Sequence, residues 1–502
     1  MPMTLPAPTP ATFSVDDAWK PLPLHVWDQE AAAHLLRRIG FSATPERVAT
    51  ALKRTPEKEI IDAFAHAEPL KMSEALAEYR DHAPANHRMI QRDIRDPEQK
   101  RARRNELREQ ENELFRDFAM SWFQHARQPE NSATEKFVLF LQDIFVVDRR
   151  TVRDTPALFA LQQVLRAGIK ADYPELCKSV SREPAMIRYL NLDQNTARKP
   201  NENFARELFE LFTLGEGNYS EADIKESARA FTGYRTRQRY EFYFQRNLHD
   251  SRQKTVFGES GTWRGDDVID LTFQQAAART FLIGEFIKFY LTDETVPEAY
   301  IEALGEQWAA RRFNLAYLIE TFFQSRLFFH PAYRGNMVKS PVQFYLGLCQ
   351  DLRLDLIPFE GRLLKGMDVM GQSFYNPPNV RGWLYGEHWI NSTTISARRQ
   401  VVDYLFSPLN EKSLNANDQR DLEKARQAER GNFLITAEQL QVLLEMEPAR
   451  IAEHLTTYFI TPHFRAAYQP VLAELLADSP TPAADLRHAV IALLQSPAYN
   501  LC

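Results

Sequence analysis

Three cysteines in 502 residues leave little room for sulfur chemistry. Cys177, Cys349 and Cys502 are far apart and odd in number, with no CxxC or CxH spacing, so the chain carries neither a disulfide framework nor a thiolate zinc site. Glycine is scarce, at 18 against 29 prolines. A chain poor in glycine and rich in Leu, Ala, Glu and Arg favours helix. No apolar run reaches membrane-spanning length. The opening MPMTLPAPTPATFSVDDAWKPLPLHVW lacks a basic stretch followed by an apolar core, so it does not read as a secretory signal, and the expected location is cytoplasmic. An excess of positive charge is also missing. Lys and Arg total 61 against 67 Asp and Glu, a net charge of −6, which argues against a broad nucleic-acid surface while leaving local basic clusters open. There is no Walker loop, GxGxxG, GxSxG or HExxH. What remains, 44% hydrophobic and 25% charged, is the profile of a soluble globular protein.

Helical periodicity runs through most of the chain. Ala31–Ile39 ends at Gly40, a C-cap, and Thr44-Pro45 opens the next helix as N-cap and first residue. Residues 92–118 mix charges of both signs, which reads as a long solvated helix. The alternative is a docking surface for an anionic partner through Arg101, Arg103 and Arg104, and neighbouring acids weigh against it. Glu135–Asp148 is an apolar helix. Arg239–Gln245 alternates, with Tyr240, Phe242 and Phe244 on one face, and Lys254–Phe257 is its expected partner strand. The predicted fold class is all-α: a large multi-helix domain with a small inserted β hairpin. The expected divisions are an extended N-terminal arm over 1–30, a main helical domain over 31–406 with the hairpin near 239–258, and a C-terminal helical section over 407–502 packed on it.

Asn201–Glu221, NENFARELFELFTLGEGNYSE, is the most informative stretch. With Asn201 as N-cap, an α-helical period puts Phe204, Leu208, Leu211 and Phe212 on one face and Asn203, Arg206, Glu207 and Glu210 on the other. Gly215 and Gly217 end the helix, and Ser220 with Asp223 caps the next. The plain reading is an i,i+4 pair of Arg206 with Glu210 on a solvated face. The functional reading makes Glu207 and Glu210 acid/base groups or hard-metal ligands, with Arg206 binding an anion. A second group is His249-Asp250 with Lys254, able to bind metal or pass protons, or simply a polar turn. A third is Asn376–Asn391, NPPNVRGWLYGEHWIN. Trp383 and Trp389 there supply walls for a sugar or base and Arg381 and Arg398 meet an anion, or the tryptophans lock a long loop.

Taken together and in order, these landmarks resemble the bacterial family known as domain of unknown function 1800, from about Ala33 to Ser496. HLLRRIGFSAT at His34–Thr44, REPAM at Arg182–Met186, NENFARELFELFTLGEGNYSEADI at Asn201–Ile224 and ARAFTGY at Ala228–Tyr234 carry the match. So do HDSRQKTVFG at His249–Gly258, NPPNVRGW at Asn376–Trp383, WINSTTISAR at Trp389–Arg398 and LLQSPAY at Leu493–Tyr499. The resemblance implies a mostly helical fold and supplies no reaction. Many members look exported and are found beside sulfatase-like proteins, and this chain lacks a signal segment. Where the family often reads FWHNHF, this chain reads FLQDIF, with Gln142 and Ile144 in place of both histidines. Asp143 stands where the family often has asparagine, and Arg252 where it often has glycine.

Three readings follow. As an enzyme, the protein is a hydrolase or transferase acting on a polar anionic substrate (phosphorylated, sulfated or glycan). Its catalytic groups are then Glu207, Glu210, His249 and Asp250, and its binding groups Asn203, Arg206, Lys254, Arg381, Trp383, Trp389 and Arg398, gathered in one cleft. As a binding or assembly protein, it has lost the family's histidine site and pairs its polar groups internally. As a structural network, the same residues specify the fold. Metal and cofactor are left open. The expected partner is a polar anionic small molecule or glycan, with a protein partner admitted and neither nucleic acid nor membrane span expected.

Overall fold

The computed structural model describes residues 13–65, 68–477 and 479–502. Among these, regular structure is helical apart from two short antiparallel hairpins, an all-α architecture with a small β insertion. The first twelve residues of the expected arm lie outside the described ones. From Phe13 onward the chain is not simply extended: Val15–Ala18 is a helical turn capped by Ser14, and Trp19 is buried with its Nε1 donating to the Tyr300 carbonyl at 2.8 Å.

The helix Ser132–Ile144 sits at the centre, with all thirteen residues buried. It packs against Gln29–Ile39, Pro56–Ala65, Pro97–Arg127 and Thr155–Gly168. Phe137, Val138, Phe140 and Leu141 fill the core around it, and truncating one such phenylalanine to alanine costs ~3–5 kcal/mol in a core of this kind. Its one buried glutamate is fully engaged: Glu135 accepts from Trp122 Nε1 and from Arg166 Nε and Nη2, each at 2.7 Å. The apolar core runs without a break from Ala18 to Tyr499. The C-terminal section joins it, with Lys339 N donating to the Asn500 carbonyl at 2.8 Å beside a bridge between Val338 and Leu501.

The helix Pro97–Arg127 is 31 residues long, about 46 Å at 1.5 Å per residue. Asp96 caps it and Pro97 takes the first position. Its second half buries Leu114, Phe115, Phe118, Trp122 and Phe123, while its first half stands largely in solvent. No helix among the described residues is long and apolar enough to cross a membrane.

The β region corrects one expectation. Arg239–Gln245 does not pair with Lys254–Phe257. Tyr234–Arg237 pairs with Glu241–Phe244, and Lys254–Val256 pairs with Glu259–Gly261. The reason is local. Gln238 and Arg239 adopt φ of 47° and 70°, which turns the chain back at once, and Phe257-Gly258 at 51° and 84° does the same for the second pair. Phe242 and Phe244 pack on Tyr234, while Tyr240 falls in the turn.

Candidate functional site

The Asn201 segment is helical, but not in the way its sequence pattern predicts. Asn203–Glu207 is α-helical and Leu208–Thr213 widens into a π-helix, where Leu214 N donates to the Phe209 carbonyl at 2.8 Å. The buried pairs are Phe204-Ala205, Leu208-Phe209 and Phe212-Thr213, a repeat of four. Phe209 takes the core position expected of Leu211, which is half-buried. The wider turn keeps Arg206, Glu207 and Glu210 on the outer side through two turns, and such π segments recur at functional sites. Asn201 caps from one residue further out than expected, its Oδ1 accepting from Asn203 N at 3.0 Å, and Asn203 itself is exposed.

Arg206 does not pair with Glu210. It forks onto Glu221 at 2.8 and 2.9 Å and reaches Glu202 at 3.3 Å. Glu210 instead accepts from Arg381 Nη2 at 2.7 Å and from the Tyr219 hydroxyl at 3.0 Å, and Arg381 also holds Glu216. The NPPNVRGW loop and the Asn201 helix therefore meet. The Glu207 carboxylate makes no hydrogen bond or ion pair among the described residues. Partial burial and the neighbouring Glu210 raise its carboxyl above the usual range. Burial, Asp148 and Glu207 together push the Tyr189 hydroxyl to about 12, while Arg150 pulls it back. Tyr189 thus lies within electrostatic reach of both Glu207 and the Asp148–Arg150 pair.

The second group closes on itself. Asp250 is buried and accepts from Arg252 Nη2 at 2.6 Å, Arg252 Nε at 2.9 Å and Arg229 Nε at 2.8 Å. Arg252, ahead of Arg229, holds that carboxyl far below the ordinary carboxylate range. Lys254 is buried with its Nζ donating to the Asp250 carbonyl at 2.5 Å and the Arg252 carbonyl at 3.0 Å. His249 Nδ1 lies 3.0 Å from the Thr232 carbonyl, and burial lowers its basicity. These residues share no hydrogen-bond or ion-pair partner with Glu207, Glu210 or Arg381, so the single cleft expected from the sequence appears as two separate networks.

The third group is split as well. Trp383 N donates to Asp143 Oδ1 at 2.8 Å, the one hydrogen bond among the described residues to a buried carboxyl that desolvation pushes well up. Gly382 (φ 77°) is required beside it, because a Cβ there would sit 2.1 Å from Asp143 Oδ1. Trp383 is half-buried and Trp389 buried. Arg398 is buried and spent on Asn500 Oδ1 at 3.0 Å, the Lys339 carbonyl at 2.8 Å and the Phe344 ring, and desolvation lowers its pKa to about 10. Gln142 and Ile144 are core residues of the central helix, and Gln142 Nε2 has no hydrogen-bond partner. Among the described residues no three His, Cys, Asp or Glu side chains are grouped to hold a metal ion.

A cleft of about 1200 Å³ lies elsewhere; none of the catalytic and binding residues expected to share one cleft lines it, but Arg101 and Arg104 of the alternative anion-docking surface do. Nine Lys or Arg side chains and two carboxylates face it, in a chain whose net charge is −6. One wall is the solvated half of Pro97–Arg127. Lys100, Arg101, Arg104 and Arg108 line the cleft, whereas Glu98, Glu106, Glu109 and Glu113 of the same helix do not. The expectation that neighbouring acids offset the arginines holds for Arg103, which pairs with Glu106 at 2.7 Å. Lys100, Arg101, Arg104 and, from the helix Glu360–Met370, Lys365 carry no hydrogen bond or ion pair among the described residues. Sorting the charges by helical period rather than counting them would have revealed this stripe.

The cleft floor is more ordered. Arg149 lies 3.7 Å over the Phe115 ring and donates to Asn112 Oδ1 at 2.8 Å. Asp154 is buried, accepts from Arg188 at 2.8 Å and Arg239 at 2.5 Å, and caps the helix Thr155–Gly168. Beside it Glu111 accepts from the backbone N of Thr155 and from its hydroxyl at 2.5 Å, and its second oxygen is buried without a partner. Burial, with Asp154 adding to it, raises the Glu111 carboxyl to about 7 against the opposing Thr155 hydrogen bonds. The loop that carries Arg381 begins at this floor: Arg149 N donates to the Tyr375 carbonyl at 2.9 Å and Asn376 lines the cleft.

No curated protein and no solved structure matches the chain. A family model does, over residues 34–501, nearly the whole length, and its description is a protein of unknown function, DUF1800. The chain belongs to the DUF1800 family.

Proposed function

We propose that the protein is a hydrolase or transferase acting on a polar anionic substrate, phosphorylated, sulfated or glycan, held in the cationic cleft. The observation that carries this reading is the surplus of nine cations over two carboxylates in the cleft. The side chains of four of those cations carry no hydrogen bond or ion pair among the described residues, and unpaired guanidinium and ammonium groups are the natural ligands of phosphate, sulfate and carboxylate. Glu111, raised to about 7 at the floor, suits proton transfer near neutrality. Glu207, also raised, is the second candidate carboxyl; it lies outside the cleft lining and couples to it only through Tyr189 and the Asp148–Arg150 pair.

The test is a screen of chromogenic phosphate, sulfate and glycoside esters with the full chain and with Glu111→Gln, Glu207→Gln and Arg149→Ala. Turnover lost by about two orders of magnitude or more in one Gln variant, with the fold intact, supports the reading and assigns the acid/base group. Turnover equal in all four proteins would sink it. The second reading, a non-catalytic binding protein, draws on Gln142, whose amide nitrogen is buried without a hydrogen-bond partner among the described residues where related chains often carry histidine. It expects anion binding that depends on Arg149 and no turnover of any ester.

A further inference from the structure

We infer that the cleft takes a linear acidic polysaccharide across several of its sugar units, rather than one small anion. This rests on the reading of the cleft as an anionic-substrate site and goes further by naming the substrate class. The first argument is size. Pockets for drug-sized ligands span roughly 300–1,000 Å³, and this one is about 1200 Å³. Its lining runs along one helix from Lys100 to Phe115, about 22 Å at the helical rise.

The second argument is spacing. Lys100, Arg104 and Arg108 recur every four residues, so they stand in one row with a step of about 6 Å. A single phosphate or sulfate meets one or two of them. A polymer with one charge per sugar ring meets the whole row, and Lys365 from the neighbouring helix closes on it from a second element. Within the row the Lys100 and Arg104 side chains carry no hydrogen bond or ion pair among the described residues and Arg108 donates only to the neutral Asn105 amide at 3.2 Å, whereas Arg103, which does not line the cleft, is paired with Glu106.

The third argument separates a glycan from a nucleic acid. Single strands are held by bases stacking on exposed aromatic faces as well as by cations. Here Phe115 and Phe374 are buried and the Phe115 ring is already covered by Arg149. Tyr79, the remaining aromatic ring of the lining, is itself half-buried. The cleft offers charge without a stacking platform.

The experiment is calorimetric titration of the full chain with oligogalacturonates of two, four and eight units, chondroitin sulfate oligomers, inorganic phosphate and sulfate, neutral dextran and oligo-dT. The same titrations are run on the triple variant Lys100→Gln/Arg104→Gln/Arg108→Gln, checked by circular dichroism. The expected result is affinity that climbs at least about tenfold from two to eight units, falls steeply with salt, and drops at least about tenfold in the triple variant. Whether galacturonate or chondroitin sulfate binds tighter identifies carboxylate or sulfate as the recognised group. Inorganic phosphate or sulfate binding as tightly as the octamer would overturn this inference while leaving the small-anion reading in place. Oligo-dT binding more tightly than either glycan would overturn it in favour of nucleic acid. A triple variant that binds the octamer like the native chain moves the site away from this helix. Failure of every anion to bind removes both the inference and the reading beneath it.

Discussion

The His249 network and the Pro97–Arg127 cleft wall make opposite uses of the same residue types. In the first, every cation is spent: Arg229 and Arg252 on Asp250, and Lys254 on two backbone carbonyls. In the second, Lys100, Arg101 and Arg104 stand without counter-charges. The first is conspicuous in sequence because its residues are consecutive and mixed in kind. The second is inconspicuous because residues 97–115 hold five acids to five cations, and only the helical turn takes Glu98, Glu106, Glu109 and Glu113 away from the cleft. Density of polar residues in sequence thus marks where a network exists. Availability for a ligand depends on which groups the fold leaves unpaired.

The strongest way to break that contrast is through Asp154, where a saturated network forms part of the cleft itself. Asp154 is buried, caps a helix and neutralises Arg188 and Arg239. Asp154→Ala leaves both guanidiniums without their partner, and loss of ~3–5 kcal/mol is expected, since breaking a buried pair exposes an uncompensated charge. Chemical denaturation measures it. A loss under about 1 kcal/mol would mean the cleft floor is as loosely held as its wall. Gly382→Ala comes next. It places a methyl against Asp143 and forces a non-glycine residue to φ 77°, at ~2–4 kcal/mol from left-handed strain and overpacking together. A crystal structure or hydrogen exchange of the variant should show the Asn376–Trp383 loop lifting from the central helix.

How much of this was legible beforehand differs by level. The helical class, the Gly40 and Thr44-Pro45 caps and the Ser220–Asp223 capping box follow from residue chemistry within four positions, and all are present. The π segment was not legible, because an apolar pattern at 204, 208, 211 and 212 fits an α-helix, and only tertiary packing selects Phe209 over Leu211. Strand pairing failed for a similar reason. Gln238 and Arg239 carry no glycine or asparagine to announce a turn with positive φ. At the site, the meeting of Glu210 with Arg381, 171 residues apart, joins two motifs already singled out. Glu111 could not be singled out at all, since its raised pKa comes from burial and from Asp154, neither of which can be read from its neighbours in sequence.

Glu111 gives a pH test of the cleft floor. Its folded carboxyl titrates near 7 against an ordinary value of 4.5. Its contribution to stability is therefore fully present below pH 4.5 and lost as pH rises through about 7. Between those values the native chain should lose ~1.4 kcal/mol per pH unit from this group, up to ~3 kcal/mol in all. In Glu111→Gln that slope should vanish from the dependence of Tm on pH. If the slope persists, another buried carboxyl governs it, with Glu183, raised by burial to about 7, the next to replace. Anion binding should weaken over the same interval in the native chain, because ionised Glu111 places a negative charge at the floor.

The smallest stability effect is the most informative about the motif region. Arg381 is exposed, and its pairs with Glu210 and Glu216 lie at the surface, so Arg381→Ala should cost under ~1 kcal/mol. Its electrostatic effect is sharper. Arg381 is the larger of two cationic influences that lower the Glu207 carboxyl, so its removal raises that carboxyl further. If Glu207 acts as the acid/base group, Arg381→Ala shifts the acidic limb of the pH–rate profile upward while Tm stays nearly constant. If the Asn201 helix is only a pairing network, the profile does not move and the Glu207→Gln variant turns over substrate like the native chain. An unmoved profile together with loss of activity in Glu111→Gln would place the chemistry at the cleft floor and leave the most recognisable motif of the chain with the task of holding the Arg381 loop against it.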